Sequence, residues 1–169
     1  MVKNKRNLGL PGVNLIDLST DISEIGFDAI LAGEHLGIKI KQANMSITYP
    51  GIIRSWHKHL KKQVEYIIVI EGAAKFCVFD DEEKSPMWRH MIEVVLSENK
   101  MQILTIPSRN LHGYVAISNK PVLLVYFVDV LYDYKNPGKV RKPYNEEIIP
   151  IAINGKFDDP RCGKPWRWR

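Results

Sequence analysis

The 169 residues, 45% hydrophobic and 25% charged, fall in the range of one compact domain, and a chain of this length buries about 70% of the surface its unfolded form exposes. Neither disulfides nor a structural metal is required for such a core, so a bound metal is expected to be functional; Cys77 and Cys162 lack CxxC spacing and are expected to be free thiols. The net charge of +5 suits an anionic small molecule, and nucleic acid is not expected because no helix-turn-helix, RNP-type aromatic pattern or zinc-finger spacing accompanies it.

Residues 1–13 carry Lys3, Lys5 and Arg6 but break at Gly9, Pro11 and Gly12 with no apolar segment behind them. This does not fit a secretory signal, and a cytoplasmic location is expected. The longest apolar stretch, 122–128, stops at Asp129, far short of the ~18 to 20 residues of a membrane span. A short helix is expected over 25–36, where Phe27, Ile30 and Leu31 could share a face. From residue 64 the pattern changes to short apolar or alternating runs, at 64–70, 75–79, 90–96, 101–106, 111–117 and 122–131. Turn residues separate them: Glu71-Gly72, then 80–86, 97–100, 107–110 and 118–121. Many short strands at regular spacing predict an all-β sandwich or barrel. The whole of 1–169 reads as one domain, with an N-terminal arm to 44, a core over about 45–135 and a C-terminal tail from 136.

His57 and His59 stand two apart, which on a strand points both imidazoles to one face and Arg54, Trp56 and Lys58 to the other. Glu65 shares a strand face with Ile67 and Val69, so its carboxylate is expected inside the core, where an unpaired charge is costly. A metal or a protonated histidine would offset it, and His112 after Pro107 could complete the group. A set of His57, His59, Glu65 and His112 suits a divalent Zn, Mn, Fe or Ni ion. Alternatively, His59 and Glu65 form a buried ion pair while His57 and His112 serve other chemistry.

Gly51, His57, His59, Glu65 and Gly72, with Pro107 and His112, resemble the two motifs of the cupin superfamily, although Arg109 stands where the second motif has glycine. A narrower resemblance runs from Gly12 to about Ile149. Pro11-Gly-Val-Asn-Leu-Ile, Gly51-Ile-Ile-Arg54-Ser-Trp-His57, Val78-Phe79-Asp80, Leu96-Ser-Glu-Asn99 and Leu111-His112-Gly113 are similar to the dTDP-4-dehydrorhamnose 3,5-epimerase family. That resemblance implies a cupin jelly-roll barrel (a double-stranded β-helix) and a sugar epimerase or isomerase needing no organic cofactor. It places His57 on the family's catalytic base, His112 on its second active-site histidine and Arg54 on an arginine of the substrate's phosphates. Tyr126 approximates the family's acid, given one inserted residue in 118–121, and Glu146, beside Asn145, approximates the carboxylate that partners the histidine. His59 replaces a glutamine, Glu65 a lysine, and Ile25 an arginine that helps hold the nucleotide. The metal and proton-transfer readings compete for His57, and a non-catalytic metal- or sugar-binding cupin is the alternative to an enzyme. A homodimer is expected from the resemblance and from the apolar segment 13–18, which could add to a neighbour's sheet.

The remaining features have plain structural expectations. His35 and His90 are expected to be structural, and Lys58, Lys61 and Lys62 to form a solvated turn beside the site. The tail, with Trp166, Trp168 and Arg169, is expected to dock on the body or on a partner subunit.

Overall fold

A computed structural model describes residues 4–33 and 36–169. One sheet has the strand order β1 (Asn4–Asn7), β2 (Asn14–Asp17), β10 (Gln102–Pro107), β7 (Val64–Glu71), β12 (Val122–Val128) and β5 (Gln42–Thr48). The other runs β13 (Lys139–Arg141), β6 (Ile53–His59), β11 (Leu111–Ala116), β8 (Ala73–Phe79), β9 (His90–Ser97) and β14 (Ala152–Ile153). Pairing is antiparallel throughout both, apart from the parallel β9/β14 pair. The two faces pack as the sandwich that the strand pattern predicts, in the jelly-roll form that the family resemblance implies.

β7 explains how the layers stack, because its run Val-Glu-Tyr-Ile-Ile-Val-Ile-Glu is apolar on both faces. Ile67 and Val69 enter the core between the sheets with Leu104, Phe76 and Leu124. Tyr66 and Ile68 point the other way, where they cluster with Ile16 of the same sheet and with Leu36 and Ile38 from the segment before β5. On the outer face of the second sheet, Trp56, Cys77, Phe79 and Met91 are covered by Ile148, Trp166 and Trp168. Trp56 and Trp168 lie 4.6 Å apart; each aromatic of this kind withdraws ~150–250 Å² from water, or about 4–6 kcal/mol before entropy is counted. The C-terminal tail is thus docked on the body, as expected, behind the strand that carries His57. Cys77 and Cys162 are free thiols, and burial raises the Cys77 pKa above its ordinary value.

Two expectations fail. Over 25–36 there is no α-helix among the described residues, and only Leu36 takes a 3-10 conformation: β3 (Thr20–Ser23) and β4 (Gly26–Ala29) form a hairpin with Ser23 opposite Gly26. Gly26 takes φ +146, a value open to glycine and foreign to a helix. Ile25, Phe27 and Ile30 are all exposed, so no apolar stripe packs as a helix face would. His35 lies outside the described residues. The segment 13–18 cannot add to a neighbour's sheet, because β2 is bonded to β1 on one side and β10 on the other. Among the described residues no helix is long and apolar enough to cross a membrane.

Candidate functional site

A cavity of about 410 Å³ opens between the sheets, and Arg54, His57, His59, Glu65, His112 and Tyr126 all line it. The first sheet supplies Glu65 from β7 and Tyr126 from β12, while the second supplies the histidines from β6 and β11. The two walls therefore hold different chemistry.

β6 departs from simple alternation. His57 pairs with His112 and Arg54 with Tyr114, so Ser55 and Trp56 together oppose Gly113. This is a β-bulge, and it resets the parity of the strand. Arg54 is thereby brought to the same cavity as His57, whereas strict alternation placed it on the opposite face. Gly113 permits the bulge, since a Cβ there would lie 2.2 Å from Ser55 Cβ and 2.8 Å from the Arg54 carbonyl oxygen. Trp56 and Lys58 keep the outward expectation: Trp56 packs under the tail and Lys58 Nζ sits 2.7 Å from Asp81.

Glu65 is 5% exposed and held between two imidazoles, with His59 Nε2 at 2.8 Å from Oε1 and His112 Nε2 at 3.3 Å from Oε2. The His112 Nδ1 lies 2.9 Å from the Asn110 carbonyl. A carbonyl only accepts, so Nδ1 carries hydrogen; Nε2 then meets the carboxylate favourably as a second N–H or across a shared cation. Burial by itself would raise the Glu65 carboxyl, but His112 and then His59 outweigh it and hold the group well below 4.5. For His57, burial first and the charge of His112 second push the imidazole down to about 2. His57 is therefore neutral near pH 7, its ring 4.2 Å from that of His112. Burial, with the nearby Glu65 charge, raises the Tyr126 hydroxyl above 10.0, so it retains its proton.

His57, Glu65 and His112 each bring one ligand atom within 4.8 Å of the others. His59 stands outside that trio, on the far oxygen of Glu65. Glu146 does not line the cavity and lies 3.7 Å from Lys142 Nζ. His90 packs edge-on against Phe157, and Lys61 lines the cavity while pairing with Asp133 at 2.7 Å rather than standing free in a turn. The sequence reading missed Lys139 and Arg141 of β13, which line the same cavity. Their signal was present: Lys-Val-Arg is a base-apolar-base alternation, which puts both bases on one strand face.

The family model for dTDP-4-dehydrorhamnose 3,5-epimerase matches residues 27–156. The chain is 36% identical over 112 residues to the probable low-salt glycan biosynthesis epimerase Agl13 of Haloferax volcanii, covering 66% of this chain and 72% of that one. It is 29% identical over 150 residues to the spore coat polysaccharide biosynthesis protein SpsL of Bacillus subtilis, covering 88% and 99%. In fold it is similar to the dTDP-6-deoxy-D-glucose-3,5-epimerase of Legionella pneumophila solved with dTDP-4-keto-L-rhamnose, with TM-score 0.75, 20% identity and coverage of 96% and 86%. The family match covers most of the chain, and the chain belongs to the dTDP-4-dehydrorhamnose 3,5-epimerase family, and with it to the isomerase class of enzymes.

Proposed function

We propose that the protein epimerises or isomerises a nucleotide-linked keto-sugar by moving a proton on the carbon beside the carbonyl. The observation that carries this reading is the placement of a neutral His57 on one sheet and a protonated Tyr126 on the other, both lining one cavity. His57 takes the proton from the carbon and the electron pair shifts to the carbonyl oxygen as an enolate. Tyr126 delivers a proton to the opposite face of that carbon, and the carbonyl re-forms. Arg54 serves the phosphates, and His112, fixed through Nδ1 on Asn110, keeps Glu65 and His57 in register. Relatives named for glycan and spore-coat polysaccharide biosynthesis, and a similar fold holding dTDP-4-keto-L-rhamnose, support this substrate class. The test is solvent deuterium incorporation into dTDP-4-keto-L-rhamnose: the unaltered protein is expected to exchange the hydrogen beside the carbonyl and His57→Ala to abolish it, in the presence of chelator. Exchange that survives His57→Ala contradicts the assignment.

A second reading has its own observation, the approach of His112 Nε2 to Glu65 with Nδ1 already committed. A divalent ion held by His57, Glu65 and His112 would supply the cation this contact calls for and would polarise a sugar oxygen. It would also occupy His57 and remove it as the base. One equivalent of metal in untagged protein purified without chelator, lost in Glu65→Gln, supports this reading; metal-free active protein excludes it. A homodimer is also proposed, on the exposed Met45, Ile47 and Tyr49 on and just beyond the edge strand β5. Light scattering that gives a dimer mass supports it, and a concentration-independent monomer contradicts it.

A further inference from the structure

Taking a proton from carbon leaves negative charge on the sugar oxygen, and a site for this chemistry needs a cation or donor aimed at that oxygen. Charge accounting inside the cavity narrows the choice. Glu65 is already shared by His59 and His112, and Lys61 is taken by Asp133. Arg54 donates to Ser46 Oγ and is exposed, as is Arg141. Lys139 differs from all of these: it lines the cavity, is half-buried, and forms no ion pair among the described residues.

Register fixes where it stands. Lys139 pairs with His59 and Arg141 with His57, so the lysine shares the cavity-facing side with the histidines, at cross-strand neighbour distance. The strand is also held at both ends. Leu60 N–H donates to the Gly138 carbonyl at 2.7 Å, and Trp56 and Lys142 exchange two backbone bonds at 3.0 and 2.9 Å. A cation on such an anchored strand needs little reorganisation when charge develops beside it. Burial lowers the Lys139 pKa and the Glu65 charge opposes that shift, and the ammonium in turn disfavours a charged His57. The three groups thus act on one another electrostatically within one cavity.

We infer that Lys139 is the cation that receives the developing sugar oxyanion, supplied from β13 beside His59 while β7 presents the Glu65 carboxylate. The inference rests on the proton-transfer reading above, and makes Lys139 a catalytic residue in contact with substrate. It concerns the chemical step more than binding.

The test compares Lys139→Met and Lys139→Arg with the unaltered protein in chelated buffer, following deuterium exchange and turnover of dTDP-4-keto-L-rhamnose, with His57→Asn alongside. Lys139→Met is expected to lower kcat and the exchange rate about 100-fold, as loss of one oxyanion donor does, with KM changed by less than about threefold and partial recovery in Lys139→Arg. Should Lys139→Met fail to fold, as judged by circular dichroism, Lys139→Gln, which keeps a polar end on a shorter side chain, takes its place. Exchange that is unchanged in Lys139→Met but lost in His57→Asn overturns the inference and leaves the proton-transfer reading standing, as does a rise in KM alone. Absence of exchange by the unaltered protein overturns both.

Discussion

β6 and β7 both carry site residues, yet they reach the cavity by different routes. β7 alternates without interruption from Val64 through Val69, so Glu65 falls in line with Ile67 and Val69 and is buried with them. β6 keeps that rhythm only between His59 and His57, then carries an extra residue opposite Gly113, and Arg54 lands on the side that alternation denies it. A period-two pattern therefore positions a side chain only as far as the nearest bulge. β7 has an irregularity of its own, at Ile70 opposite the Leu123–Leu124 step, but it lies beyond Glu65 and leaves the site residue in phase.

The largest loss is expected on the regular strand. Glu65→Ala leaves two buried imidazoles without their shared carboxylate, and a loss of about 3–5 kcal/mol in denaturant-unfolding free energy is expected, as for other buried pairs robbed of one partner. Breaking the bulge comes next. Gly113→Ala forces a Cβ into the backbone of Ser55 and Arg54; about 1–3 kcal/mol of overpacking cost is expected by the same measurement. Because His57 and Arg54 would both shift, activity should also fall about 100-fold, the cost of ångström-scale misplacement.

Acid titration sharpens the contrast. A folded-state pKa of about 2 for His57, against the ordinary imidazole value of 6.5, means that below pH 6.5 the unfolded chain binds a proton there that the folded one refuses. Stability is then fully present above pH 6.5 and falls as the pH drops, by at most about 1.4 kcal/mol per pH unit. Glu65, held below 4.5, contributes stability that is present above that value and lost only below it. Stability curves of His57→Asn should therefore flatten between pH 6.5 and 4.5 and keep the steeper loss beneath. The smallest effects distinguish the two sides of β6. Arg54→Ala should raise KM for the sugar nucleotide about tenfold with little change in stability, whereas Lys58→Ala, which breaks only the Asp81 pair, should cost less than about 1 kcal/mol and leave steady-state kinetics unchanged.

The sequence made the strands legible from residue 64 onward because turn residues and apolar runs there agree with each other. It also made legible the gathering of His57, His59, Glu65 and His112, since each lies where strand parity is intact. The bulge was not readable from one sequence: Gly113 looks like any strand glycine until the carbonyl of Arg54 is seen 2.8 Å from its missing Cβ. The 20–29 hairpin was misread because Phe27 and Ile30 mimic a helical stripe, and nothing local announces that both stay exposed. Lys139 was missed because its alternation spans only three residues, and it is the pairing with β6 that turns their shared face toward the cavity.

The most direct test is a crystal structure of His57→Asn, a variant expected to bind substrate without turning it over, with dTDP-4-keto-L-rhamnose. The carbon beside the carbonyl is expected at about 3–3.5 Å from the side chain at position 57, with Tyr126 on the opposite face of the sugar and the phosphates toward Arg54. A sugar ring bound outside the cavity between the sheets, or one presenting no C–H to position 57, would contradict it.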